Sequence, residues 1–147
     1  MKKKVVVLMG GLSGEREISF LTGKACSTAL KKKGYKVINL DVKGIFKEEL
    51  RRLKPNFVFN ALHGKYGEDG FVQTIMESLK IPYTHSGVIS SSLAMDKELS
   101  RIIFMNNNFK VPKSILLYKN KVNKFYKDLK FKKIKFPIVI KPTNEGS

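Results

Sequence analysis

Lys141 stands at the exit of an apolar run, Phe136-Pro137-Ile138-Val139-Ile140, and runs into Pro142-Thr143-Asn144-Glu145-Gly146-Ser147. A lysine leaving a buried strand beside a Gly/Ser turn suits phosphate, because it sets a point charge next to exposed backbone N–H groups. The sequence stops inside that turn. A complete phosphate site is therefore expected to need whatever follows Ser147, and the chain reads as the front part of a nucleotide-using enzyme.

Two further places could carry chemistry. The first is Gly10-Gly11-Leu12-Ser13-Gly14-Glu15-Arg16-Glu17, between an apolar run and a helical pattern. It lacks the spacing of a dinucleotide loop and the Gly-Lys-Ser/Thr ending of a P-loop. Its two acids disfavour phosphate at a helix start; they suit a cationic guest or complement the helix dipole. Glu15, three residues before Ile18, is expected on the sheet side of the helix, where it could meet a ligand's ammonium group. Glu17 reads as a dipole-pairing surface acid. The second place is Asn60-Ala61-Leu62-His63-Gly64-Lys65-Tyr66-Gly67-Glu68-Asp69-Gly70. His63 leaves a strand into a loop whose glycines let backbone approach a ligand closely. It is either a site residue or a histidine bonded to neighbouring backbone. Asp69 reads as a helix cap, and His85 as a turn residue. Two histidines and one cysteine, Cys26, argue against zinc. No nucleophile elbow is present.

These residues need a scaffold. Val5 to Met9 is a continuous apolar run, as in a strand buried on both faces. Ile18, Leu21, Ala25 and Ala29 recur at helical spacing up to Lys33-Gly34. Further elements are expected as a strand over 35–40, a helix over 46–53, a strand over 56–61, a helix over 71–79 and a short strand at Ile81-Pro82-Tyr83-Thr84. Strand and helix alternate, so the fold class is α/β with a parallel sheet flanked by helices. Ligands bind beyond the carboxyl ends of such strands. That brings the loops at 10–14, 61–70 and 84–87 to one rim. A second, incomplete α+β unit is expected over 95–147, after a first domain at 1–94. It would contain a helix over 94–106, a strand over 111–118, a lysine-rich helix over 121–131 and a last strand over 136–141.

The bulk composition excludes several classes. The 147 residues are 42% apolar, normal for a soluble domain, and hold no membrane-length apolar run. The apolar stretch after Met1-Lys2-Lys3-Lys4 breaks at Gly10-Gly11 and no small-residue cleavage site follows, so secretion is not expected and a cytoplasmic location is. The single cysteine fits a reducing compartment. Net charge is +17, with 29 basic residues against 12 acidic ones. Lys119 to Lys135 holds eight lysines and one acid, Asp128. Its few aromatics read as a buried helix side, so a solvated basic surface is preferred to nucleic-acid binding.

Taken in order, five stretches resemble the D-alanine–D-alanine ligase family, almost from end to end. They are Gly10-Gly11 with Ser13, Glu15 and Ser19; the loop 61–70; Ile81 to Val88; Ser91 with Ala94-Met95-Asp96-Lys97; and Phe136-Pro137 through Lys141-Pro142 to Glu145-Gly146-Ser147. The resemblance implies an ATP-grasp fold, here its N-terminal domain and an incomplete central subdomain. It implies ATP-driven peptide-bond synthesis between two D-alanines through an acyl phosphate, feeding peptidoglycan. Carried over, Glu15 would bind the first substrate's ammonium and His63 would sit near its carboxylate. Lys97 and Lys141 would hold ATP phosphates, and Ser147 would contact the Glu15 network. No metal ligand is expected in this chain. In the family the Mg2+ carboxylates, the adenine pocket, an arginine for the transferring phosphate and the second D-alanine site lie beyond Ser147. The 147 residues alone are therefore expected to be inactive. A homodimer is expected. The alternative is a non-catalytic basic binding or dimerisation module, a ligase remnant.

Overall fold

A computed structural model of the chain describes residues 2–120, 127 and 134–145. Three strands, β1 (Lys4–Gly10), β2 (Lys36–Val42) and β3 (Phe57–Asn60), form a parallel sheet in the order β2-β1-β3. Helix α1 (Arg16–Lys32) links β1 to β2, and α2 (Lys47–Leu53) links β2 to β3. Beyond β3 come α3 (Phe71–Ser78), α4 (Val88–Met95) and α5 (Lys97–Asn106).

The apolar run of β1 is buried on both faces because its period-2 alternation feeds two cores. Val6 and Leu8 join Val42, Phe46, Leu50, Val58, Val72 and Met76 on one face. Val5, Val7 and Met9 join Ala61 on the other, with Phe20 and Leu30 of α1 against them. Helices thus lie on both faces, as alternation of strand and helix predicts.

The inward face of α1 differs from expectation. Ile18 is 52% and Leu21 65% exposed, while Ser19, Gly23 and Ser27 are buried. Small residues let the helix approach the sheet closely. A β-carbon on Gly23 would fall 2.8 Å from that of Met9, so the bulky apolar residues are turned outward. Glu15 remains on the sheet side, but through Ser19, which is one turn on and donates its N–H to the Glu15 carbonyl.

The expected fourth strand is reduced to one bridge, Val58 to Tyr83. Val58 donates to the Pro82 carbonyl, Thr84 donates back to Val58, and Pro82 itself has no N–H to extend the ladder. Tyr83 also donates its phenol to Glu77 at 2.7 Å. Burial, then that carboxylate, push its pKa up to about 12.

The single helix expected over 94–106 is two helices. Asp96 has extended backbone, and its carboxylate accepts from the N–H groups of Glu98 and Leu99, capping α5. The strands expected over 111–118 and 136–141 do not form; these residues lie in irregular backbone. A strand must pair its N–H and C=O groups with a neighbour, and both sit apart from the β2-β1-β3 sheet. Of the lysine-rich helix over 121–131, only Lys127 is a described residue, and it is helical.

Candidate functional site

Strand β1 is central, and the chain leaves β1 and its neighbour β3 toward opposite faces. The loop after β1 enters α1 on one face, and the loop after β3 enters α3 on the other. A crevice opens where neighbouring strands send their connections apart, and this is the habitual ligand site of open parallel sheets. The loops 10–15 and 61–70 meet there.

They are joined by named bonds. The Ser13 hydroxyl donates to the His63 carbonyl at 2.7 Å and accepts from the Glu15 N–H at 3.2 Å. The buried Ser19 hydroxyl donates to the Ala61 carbonyl at 2.7 Å. The His63 ring nitrogen Nε2 lies 3.0 Å from the Thr22 hydroxyl. The Glu15 carboxylate lies against Gly64, where a β-carbon would meet Oε2. Sequence-predicted Glu15 and His63 are thus brought to one place. The ring of His63 is tied to a side chain of α1, not to the neighbouring backbone. An apolar cavity of about 250 Å³ opens beside His63, lined by Leu12, Val42, Ile45, Leu62 and Tyr66 among others.

The supporting bonds are polar and local. Asn60, buried at the end of β3, accepts from the Leu62 N–H and donates to the Gly67 carbonyl at 2.8 Å. Glu68 accepts from the Gly64 N–H at 2.7 Å. Asp69 accepts from the N–H groups of Tyr66 and Phe71; the N-cap of α3 is Gly70, so the cap read at Asp69 from sequence stands one residue early and meets the first helical N–H from there. His85 is an exposed turn residue at φ +80°. At the other side of the β1 exit, Arg16 donates to the Gly11 carbonyl at 3.0 Å and to Asp41 at 2.8 Å. The Asp41 hydrogen bond holds the guanidinium above its ordinary pKa. This pair fixes the start of α1, and with it Glu15.

Lys97 belongs to a second group of contacts. Its N–H donates to the Thr143 carbonyl at 3.0 Å, and its ammonium donates to the Glu145 carbonyl at 2.5 Å. The start of α5 is thereby tied to the segment that follows exposed Lys141. Ser147 lies outside the described residues. No group of three or more His, Cys, Asp or Glu fit to hold a metal occurs among the described residues. Sequence reasoning missed Thr22, Arg16 and Asp41. Thr22 had a signal: Glu15, Ser19 and Thr22 follow i, i+4, i+7 spacing, one helix face.

Residues 43–86 match the family model described as the N-terminus of D-ala D-ala ligase. A D-alanine–D-alanine ligase of Pelagibacter ubique is 50% identical over 149 residues, covering 100% of this chain and 48% of that protein. The crystal structure of a D-alanine–D-alanine ligase from Bacillus anthracis superposes with a TM-score of 0.84 at 36% identity. It covers 99% of this chain and 47% of that one. The same enzyme complexed with ATP gives a TM-score of 0.74 at 33% identity, over 97% and 48% of the two chains. This chain is similar along its whole length to the N-terminal part of these ligases, and it spans about half their length.

Proposed function

We propose that the protein carrying this sequence is an ATP-dependent D-alanine–D-alanine ligase, and that these residues supply its first-substrate site. The observation that carries the reading is the meeting of the Glu15 carboxylate and the His63 loop at the sheet's crevice. Glu15 takes the ammonium group of the first D-alanine. The His63 ring faces its carboxylate and holds the negative charge that builds as the acyl phosphate forms. Lys97 and Lys141 meet the phosphates of ATP and offset their repulsion of the attacking carboxylate. Ser147 contacts the Glu15 network. Residues 1–94 are the substrate-binding domain and 95–147 belong to an ATP-grasp subdomain.

Magnesium accompanies ATP in phosphoryl transfer. The described residues offer it no carboxylate cluster, so no step here runs through it. The 147 residues alone bind without turning ATP over. The whole enzyme makes the dipeptide for peptidoglycan in the cytoplasm and works as a homodimer.

The test is D-alanine titrated into the chain, followed by amide NMR shifts of loops 10–15 and 61–70. Saturable shifts in both loops are expected. They are expected to weaken at least tenfold in Glu15→Gln, the scale of a lost charge-assisted hydrogen bond. Equal response to L-alanine, or none from either loop, would overturn the reading.

A further inference from the structure

We infer that Thr22 is a positioning residue that sets the tautomer of His63, so that Nδ1–H is the donor presented to an anionic ligand group. The threonines of the helices do not all spend their hydroxyls alike. Thr28 donates to the Lys24 carbonyl at 3.0 Å, and Thr74 donates to the Gly70 carbonyl at 2.8 Å, each one turn back. Thr22 makes no such bond among the described residues. Its hydroxyl faces His63 Nε2 at 3.0 Å, the acceptor left to it. A hydroxyl hydrogen placed there makes Nε2 the accepting nitrogen of the neutral ring. The proton must then reside on Nδ1.

The backbone is held in the matching pose. Ser13 fixes the His63 carbonyl from one side, and Ser19 fixes the carbonyl of Ala61 two residues earlier. Three hydroxyls thus set the exit of β3, and the third of them acts on the ring. Nδ1 has no hydrogen-bond partner among the described residues. A neutral imidazole with this tautomer donates to a carboxylate without carrying a charge. The opposite tautomer would turn a lone pair toward the same oxygen and repel it. The ligand half of this inference rests on the proposed function; the tautomer half does not.

The test is long-range proton–nitrogen NMR of the neutral His63 ring, assigned with a His85→Gln variant to remove the second histidine. The expected wild-type pattern is a protonated Nδ1 and an unprotonated Nε2. Thr22→Val keeps the side-chain shape and is expected to give a mixed or reversed pattern, while Thr22→Ser restores the original. A wild-type ring protonated at Nε2 overturns the inference without any variant, and so does a pattern unmoved in Thr22→Val. D-alanine titration is the second arm. Binding roughly threefold to tenfold weaker in Thr22→Val, recovered in Thr22→Ser, is expected for one lost neutral hydrogen bond. A wild-type chain with the expected tautomer and no D-alanine response would sink the substrate reading and leave the tautomer assignment standing.

Discussion

Gly64 matters for the side chain it lacks. Its backbone sits at φ +68°, and the Glu15 carboxylate fills the space a β-carbon would take. The loop's glycines read from sequence as room for a ligand; at this one, the nearest guest is a carboxylate of the same chain. Gly64→Ala meets both obstacles, a left-handed backbone and a clash with Glu15. It is expected to lower stability by about 1–3 kcal/mol in urea unfolding and to blunt the D-alanine response. An unchanged midpoint would show that neither the left-handed backbone nor the Glu15 contact costs anything there. That Glu15 and His63 meet at one rim was legible from the loop after β1 and the exit of β3; residue type alone left each with a second reading. Thr22 carried only the spacing it shares with Glu15 and Ser19; a threonine within a helix ordinarily bonds its own backbone, and only the fold shows that this one does not.

The elements that sequence reasoning placed best are those with period and punctuation in agreement. The Val-rich run of β1 and the stop at Lys33-Gly34 are examples. The face of α1 was misjudged because hydrophobic periodicity assumes that large residues turn inward, whereas close helix–sheet contact selects Ser19, Gly23 and Ser27. Asp96 carried a cap signal that splits 94–106 in two, yet the apolar residues on both sides masked it. The edge pairing of Tyr83 gives this scale a pH signature. Its phenol ionises near 10 in an unfolded chain and about 12 when folded. The stability it adds is intact below pH 10 and is lost as pH rises from 10 toward 12. Relative to wild type, Tyr83→Phe is therefore expected to show a constant stability difference below pH 10 that shrinks above it. Denaturant melts at a series of alkaline pH values would measure this, and a difference that grows with pH would contradict it.

Across the whole molecule, a charge of +17 remains once the site is accounted for. If it served as a binding module for polyanions, that binding would fall steeply with salt through counterion release. On the proposed function, D-alanine binding through one local carboxylate is expected to be nearly salt-independent; parallel titrations across a salt series separate the two. Among the described residues no helix is long and apolar enough to cross a membrane. The sheet order has a consequence of another kind. β1 is made first but lies in the middle, so one of its edges is closed by β2 and the other must wait for β3. At a synthesis rate of about 5–20 residues per second, the interval between Val42 and Phe57 lasts roughly one to three seconds. For that time a nascent chain carries an open edge along Val5, Val6, Val7 and Leu8, the most apolar strand it has. The ribosome exposes an aggregation-prone ribbon before it delivers the strand that covers it.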